Sequence, residues 1–396
     1  MSDKTTKAIV RIALAAILTY AFVSHWQYLH ENVGQRDSIQ YWAAGRLFLH
    51  GQNPYDFDAV LELEKQQGYK EDRPLVLRTP PWSLFMVVPL GLFNAFWAWV
   101  LWIALSLGSL LLAMRLCWRM YGGTSNIQRD IFWAVGYTFA PVPACLVAGQ
   151  MGLVLLIGVV LFLWWEPEHP LAAGAALILP FAKPHLLVLF WVVVLLWVVA
   201  RNKRATALGF AIALAIVTAF PWALHPTIFY DYRQMLHQAS IGNEFIPALS
   251  GVLRLLFFRR WFWVQFIPMM LGLLWGLWFY FKNRLHWDWR RHGLALMVVS
   301  VLTTPYSWLP DEVVLLPAVL WASVCIFGLE KQQEMTLWTR LAIAIFAALD
   351  GLLLLILAAK IPFSGGIYFW SSLVWFAWYM YGRKRCRQRV GNDSMA

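Results

Sequence analysis

The chain has 396 residues, of which 60% are apolar or aromatic and only 13% charged. No soluble domain of this size could bury so much apolar surface, which leaves a polytopic membrane protein. The formal net charge of +11 would suit nucleic acid, but 20 of the 32 Lys and Arg residues fall in short connectors and the tail, so their excess is a topology signal instead. Twenty-five Trp residues fit side chains that are apolar at one end and wet at the other, as a bilayer interface requires. The four cysteines, Cys117, Cys145, Cys325 and Cys386, are scattered and indicate neither a disulfide framework nor a metal knuckle.

In chain order, an apolar run at 8–26 follows Lys4, Lys7 and Arg11 and, lacking a small-residue cleavage site, reads as a retained anchor. The one long polar segment, 27–81, comes next. Further runs at 82–116, 131–148, 150–165, 170–182, 185–200, 205–222, 264–281, 293–308, 311–328, 340–358 and 365–382 bring the expectation to about 12 transmembrane helices. The run at 82–116 is long enough to begin with an interfacial helix over 82–91. The expected fold class is an all-α polytopic membrane protein, a single integral-membrane domain over 1–396 with a long first outer loop and a basic tail at 383–396. Basic connectors at 115–129, 201–204, 282–291 and 331–340 share a side with the tail, which puts both termini in the cytosol and keeps the span count even. The outer side then collects the first loop, Gly149-Gln150-Met151-Gly152, Lys183-Pro184-His185, the 223–262 segment, Thr304 to Glu312, and Lys360 to Phe363. Chemistry is expected to face outward.

Asp37 leads the candidates. Its spacing to Gln40 resembles a capping box, with Gly51 ending that helix at C′. The same carboxylate, at the membrane–water boundary and partly shielded by apolar neighbours, can act as a general base on a hydroxyl. Lys183 interrupts an apolar run between Pro180 and Pro184, where a charge is costly unless it faces a polar cavity or snorkels to the interface. It is the first candidate to hold a phosphate, with His185, Arg36, Arg78 and Arg254 behind it. Tyr41, Tyr55, Gln150, Trp308 and Asp311 are candidate substrate contacts. Asp56-Phe57-Asp58 has the spacing of a metal-binding pair, but after Asn53-Pro54-Tyr55 it reads as a turn and helix start, and no metal or cofactor is expected. No glycine-rich phosphate loop is present, so a nucleotide-sugar donor has no obvious seat. Asp350, within an apolar run, has no evident partner.

The pattern Arg36-Asp37, Tyr41-Trp42-Ala43-Ala44, Gly51-Gln52-Asn53-Pro54-Tyr55-Asp56 and Thr79-Pro80-Pro81 resembles glycosyltransferase family 87, integral-membrane enzymes of the C-type glycosyltransferase fold. Ala148-Gly149-Gln150, Lys183-Pro184 and Thr304-Pro305-Tyr306 with Asp311 extend the likeness. One departure is Leu309-Pro310-Asp311-Glu312, where some mannosyltransferases of that family carry histidines. The resemblance implies inverting transfer of mannose, or of a pentose such as arabinofuranose, from a polyprenyl-phosphate donor to an envelope glycolipid or glycan, with Asp37 as base. It also implies a bacterial inner membrane, with membrane lipids as partners and the reaction on the periplasmic side. A transporter or flippase of a lipid-linked sugar is the alternative. Such folds show internal repeats with symmetric loops, whereas this chain has one dominant outer loop.

Overall fold

The computed structural model of the chain describes residues 33–239, 246–258, 260–328, 335–362 and 366–393. The expected first span at 8–26 lies outside the described residues, as do Phe363 and Lys331. In chain order the helices are α1 (Ser38–Leu49), α2 (Phe57–Gln66), α3 (Pro81–Leu92), α4 (Ala95–Tyr121), α5 (Asn126–Thr138), α6 (Pro141–Ala148), α7 (Gly152–Trp165), α8 (Pro170–Ala176) and α9 (Val188–Ala200). They continue as α10 (Arg204–Leu224), α11 (Ile228–Ala239), α12 (Leu249–Phe257), α13 (Ile267–Asn283), α14 (Leu294–Thr303), α15 (Leu316–Phe327), α16 (Leu337–Ala358) and α17 (Ser371–Asp393). The described residues contain no strand. They divide into two compact units, one of the residues up to Leu77 with Met86–Trp102, the other of Arg78–Phe85 with the residues from Ile103 onward.

In the first unit, α1 ends as expected through Gly51, whose φ of +70° lies in the left-handed region. The Gln52 N–H donates to Leu47 O at 2.9 Å and the Gly51 N–H to Phe48 O at 3.1 Å, so two carbonyls of the last turn are satisfied. The start of α1 differs from expectation. Asp37 stands at the N-cap position but in the right-handed helical region, with no side-chain cap. The chain enters through a 3-10 turn, Val33–Gln35, and the N–H groups of Ile39 and Gln40 already donate to the carbonyls of Arg36 and Asp37 at 3.0 and 3.3 Å. The expected capping box is therefore not formed at this helix start. α2 follows the turn reading: Asn53 Oδ1 accepts from the Tyr55 N–H at 2.9 Å, and Asp56 Oδ1 caps the helix by accepting from Ala59 N–H at 2.8 Å.

The α1 helix also lies against the last turns of α3. A Cβ on Gly91 would sit 2.4 Å from the backbone of Gly45, so only glycine permits that approach. Trp42 Nε1 donates to Phe93 O at 3.0 Å and Arg46 Nη1 to Gly91 O at 3.1 Å, which holds the two elements in register.

Several of the expected spans are present as membrane-length helices. Among the described residues six helices are long and apolar enough to cross a membrane: Ala95–Tyr121, Asn126–Ala148, Arg204–Leu224, Phe262–His286, Leu309–Phe327 and Leu337–Ala358. A seventh is added if Pro170–Ala182 and Pro184–Ala200 form one broken span. The runs expected as two spans at 170–182 and 185–200 are two helical arms with a bend of 115° between them at Lys183, where Pro180 and Pro184 remove backbone donors. In the run at 293–308 the α-helix Leu294–Thr303 follows directly on a π-turn, Trp289–Gly293, and ends where Thr304-Pro305 is extended.

Two further corrections concern single residues. Asp350 has a partner after all: its Oδ1 accepts the Ala140 N–H at 2.8 Å, at the break between α5 and α6 where Pro141 has no N–H to offer. Cys325 and Cys386 form a disulfide that ties the end of α15 to the basic extension of α17. The 61-residue separation hid that pairing from the sequence.

Candidate active site

The first unit carries Asp37 and an acid that the sequence did not single out. Glu64, on α2, is 0% exposed. Its Oε2 accepts the Leu75 N–H at 3.0 Å, while its Oε1 is buried with no hydrogen-bond partner. Burial is the main cause that pushes the Glu64 carboxyl up to about 7; the Leu75 N–H opposes it and the charge of Asp37 adds to it. Asp37 therefore lies within electrostatic reach of a buried second acid. Tyr69 joins them: burial first, then Glu64, Glu71 and Asp37, pushes its phenol up to about 12. The Tyr69 hydroxyl donates to Arg73 O at 3.0 Å. Arg36 places its guanidinium over the Trp99 ring at 4.8 Å. Tyr41 and Tyr55 are both in the core of this unit, with Tyr41 packed 5.0 Å from the Trp102 ring.

The second unit brings together candidates from three separate stretches. Lys183 Nζ lies 2.7 Å from Asp311 Oδ1 and donates to Gln150 Oε1 at 3.2 Å. The side chains of Lys183 and Asp311 are only 12% and 4% exposed, so the ammonium does not snorkel. Asp311 is itself held: its Oδ2 accepts the Trp308 N–H at 3.2 Å, and its own N–H donates to Trp308 O at 2.8 Å. That fixes the start of the 3-10 helix Leu309–Leu315.

Local geometry explains why the three stretches meet. Gly152 opens α7, and a Cβ there would lie 2.7 Å from both Pro310 O and Val313 Cγ1. The absent side chain lets the turn bearing Gln150 lie directly on the segment bearing Asp311. The Lys183 break is braced from Trp82, whose Nε1 donates to Phe181 O at 3.1 Å and whose ring stacks on that of Phe181 at 5.5 Å. Trp82 is a residue that sequence reasoning missed.

Around this centre stand the secondary candidates. His185 accepts at its backbone carbonyl from Thr304 Oγ1 at 2.8 Å, and its ring meets Tyr306 edge-on at 6.0 Å. The Thr304-Pro305 turn is held from outside by Ser250 Oγ, which donates to Thr304 O at 2.7 Å, and by Gln265 Nε2, which donates to Pro305 O at 2.5 Å. Arg254, on α12, lies over the Phe262 ring at 5.4 Å and its charge reaches the Tyr306 phenol, which burial raises and Arg254 lowers. Arg78 is exposed, and its carbonyl accepts from the Tyr232 hydroxyl at 3.3 Å.

Glu312, next to Asp311, points elsewhere. Its two oxygens accept from Ser371 Oγ at 2.8 Å and Trp375 Nε1 at 2.7 Å, so it is satisfied by α17. Among the described residues no group of three or more His, Cys, Asp or Glu is arranged to hold a metal ion, and Asp56 serves its helix cap.

The sequence profile of glycosyltransferase family 87 matches residues 79–349, more than half of the chain. The matched stretch covers Gln150, Lys183 and Asp311 and begins after the Arg36–Asp56 pattern. No curated protein and no solved structure matches the chain significantly.

Proposed function

Because the chain belongs to glycosyltransferase family 87 and is a membrane glycosyltransferase, we propose that its donor is a polyprenyl-phosphate sugar and its acceptor an envelope glycolipid or glycan. The sugar is mannose or a pentose such as arabinofuranose, and the reaction inverts the anomeric centre. Asp37 takes the proton of the acceptor hydroxyl as its oxygen attacks the anomeric carbon. The bond from that carbon to the phosphate oxygen breaks, and polyprenyl phosphate leaves with the electron pair. No metal is required, since positioning, a base and electrostatic stabilisation of the phosphate supply the catalysis. The enzyme sits in a bacterial inner membrane with its termini in the cytosol and acts on the periplasmic side.

The observation that carries this reading is the Lys183 centre. A lysine within apolar helical arms is expensive unless a functional partner repays it, and here it sits at a helix break beside two polar side chains. An ammonium carries three donors. Asp311 and Gln150 take two of them, and the third is suited to a phosphate oxygen. In this reading His185, Arg36, Arg78 and Arg254 are supporting phosphate contacts, and Tyr41, Tyr55, Gln150, Trp308 and Asp311 serve the sugar and acceptor.

The test is incubation of the purified protein in lipid nanodiscs with synthetic polyprenyl-phosphate sugars and glycolipid acceptors. Release of polyprenyl phosphate with formation of a new glycoside is expected, and Asp37→Asn should abolish it while the protein stays folded. Wild-type turnover by Asp37→Asn would remove Asp37 from the reaction. Movement of the intact lipid-linked sugar across the bilayer, with no release, would favour the transport reading.

A further inference from the structure

The face that α17 turns toward α15 recurs every third or fourth residue. Trp378 Nε1 donates to Ser323 Oγ at 3.1 Å, and the Tyr379 ring lies 5.5 Å from that of Trp321. Gly382 leaves no room for a Cβ, which would sit 2.6 Å from Ala322. Cys386, four residues on, closes the seam through its bond to Cys325. Packing therefore holds the two helices together as far as Gly382, and the covalent bond governs the basic stretch beyond it, with Arg383, Lys384, Arg385 and Arg387. That stretch has two weaker ties. Arg385 Nη2 donates to Thr339 Oγ1 at 2.6 Å, near the start of α16, and the Arg383 guanidinium lies 5.7 Å from the Phe279 ring.

The bond is not sealed in. Both cysteines line a cavity of about 360 Å³, whose other walls include Tyr121, Gly123, Thr124, Gln128 and Trp321. Small-molecule sites span roughly 300–1,000 Å³, so a small peptide-like ligand has room. Cys386 is half-buried whereas Cys325 is only 7% exposed, so an incoming nucleophile meets Cys386 first. The neighbouring cations favour thiolate over thiol and attract an anionic reagent. Access and thiolate stabilisation are the two things that exchange requires.

We propose that Cys325–Cys386 is a reversible thiol–disulfide exchange site for an anionic low-molecular-weight thiol, and that its reduction frees the basic extension of α17. The inference rests on the reading that places the basic end of the chain in the cytosol, a compartment that keeps such thiols reduced. In the first step the thiolate of the small thiol attacks Cys386 Sγ. The bond between the cysteines breaks, and Cys325 leaves with the electron pair and takes up a proton. A second small thiolate then attacks the small-molecule sulfur of the mixed disulfide, and Cys386 leaves and is protonated in turn. Two small thiols are oxidised to one disulfide, and the protein disulfide is reduced to two thiols.

The experiment uses the full chain in nanodiscs with reduced glutathione as the probe, and counts thiols after denaturation by the gel shift of a maleimide polymer. Cys117 and Cys145 are free, so the oxidised chain takes two labels and the reduced chain four. Millimolar reduced glutathione is expected to raise the count from two to four. Trypsin is expected to remove the basic extension severalfold faster from the reduced protein. Cys325→Ser leaves the seam up to Gly382 intact, so folding is preserved; it should show the fast cleavage without any reductant. Given oxidised glutathione, the same variant should gain one glutathione at Cys386 by intact mass, since Cys117 and Cys145 are each only 1% exposed. A count that stays at two in reduced glutathione would overturn the proposal. So would equal trypsin rates for the oxidised protein, the reduced protein and Cys325→Ser. Cells quenched with acid before labelling test the compartment separately, and four labels are expected there. Two labels in cells alongside four with glutathione in nanodiscs would uphold the exchange site and refute the cytosolic placement of this end.

Discussion

The Lys183–Asp311 pair offers the sharpest quantitative test of the second unit. The two groups are 2.7 Å apart with 12% and 4% of their side chains exposed, so each charge depends on the other for most of its solvation. Removing one member strands the other, at a cost of about 3–5 kcal/mol. Lys183→Met should destabilise by that amount, and so should Asp311→Asn, which keeps the acceptor for the Trp308 N–H and deletes only the charge. The double variant Lys183→Met/Asp311→Asn removes both charges together with their desolvation penalty and should return to within about 1 kcal/mol of wild type. Equilibrium unfolding in mixed micelles, followed by tryptophan fluorescence, measures the cycle. If the double variant loses the sum of the two single losses, the pair is not coupled and the account of this centre is wrong. The same double variant separates stability from function, because a well-folded protein without Lys183 should still bind a polyprenyl-phosphate sugar at least tenfold more weakly.

Other expectations follow from single contacts. The Glu64 carboxyl rises from an ordinary 4.5 to about 7 on folding, so its neutral form is the one the fold favours. Its contribution is complete below 4.5, declines as pH rises through about 7 and amounts to about 3 kcal/mol at about 1.36 kcal/mol per pH unit. Hydrogen exchange at the Leu75 amide should accelerate over that window in wild type and not in Glu64→Gln. Gly152→Ala places a methyl group 2.7 Å from Pro310 O, so the Asp311 segment must shift. A loss of about 1–3 kcal/mol and weaker donor binding should appear together in thermal unfolding and a binding titration. Asp350→Val leaves the Ala140 N–H without its acceptor inside the bundle, and a loss of about 1–3 kcal/mol by the same unfolding assay is expected.

The features that the sequence made legible are those written in local chemistry. Gly51 at the end of α1 and Asp56 at the start of α2 behave as their neighbours in the chain dictate. Lys183, Gln150 and Asp311 stood out individually, each as a polar residue at the edge of an apolar run, but nothing in their spacing said that they touch. Their meeting depends on Gly152 and on the angle imposed by Pro180 and Pro184, which are tertiary consequences. Those prolines also set the sharp bend between two apolar runs, which hydropathy alone does not report. Glu64 went unread because a glutamate on a short helix with Lys65 and Glu62 beside it looks solvated. The available signal was its position, four residues after Val60 and seven after Phe57, on the stripe that an amphipathic helix turns inward.

Adjacent residues in the 3-10 helix Leu309–Leu315 face opposite obligations, Asp311 toward Lys183 and Glu312 toward Ser371 and Trp375. The final helix is thus a backstop for the cation-bearing centre rather than a trailing anchor. Truncating the protein before Ser371, an obvious shortening for expression, would strip two donors from a buried carboxylate one peptide bond away from Asp311. Chimaeras that exchange this helix between family members should carry the Ser371 and Trp375 donors with them, or graft Leu309–Leu315 along with it.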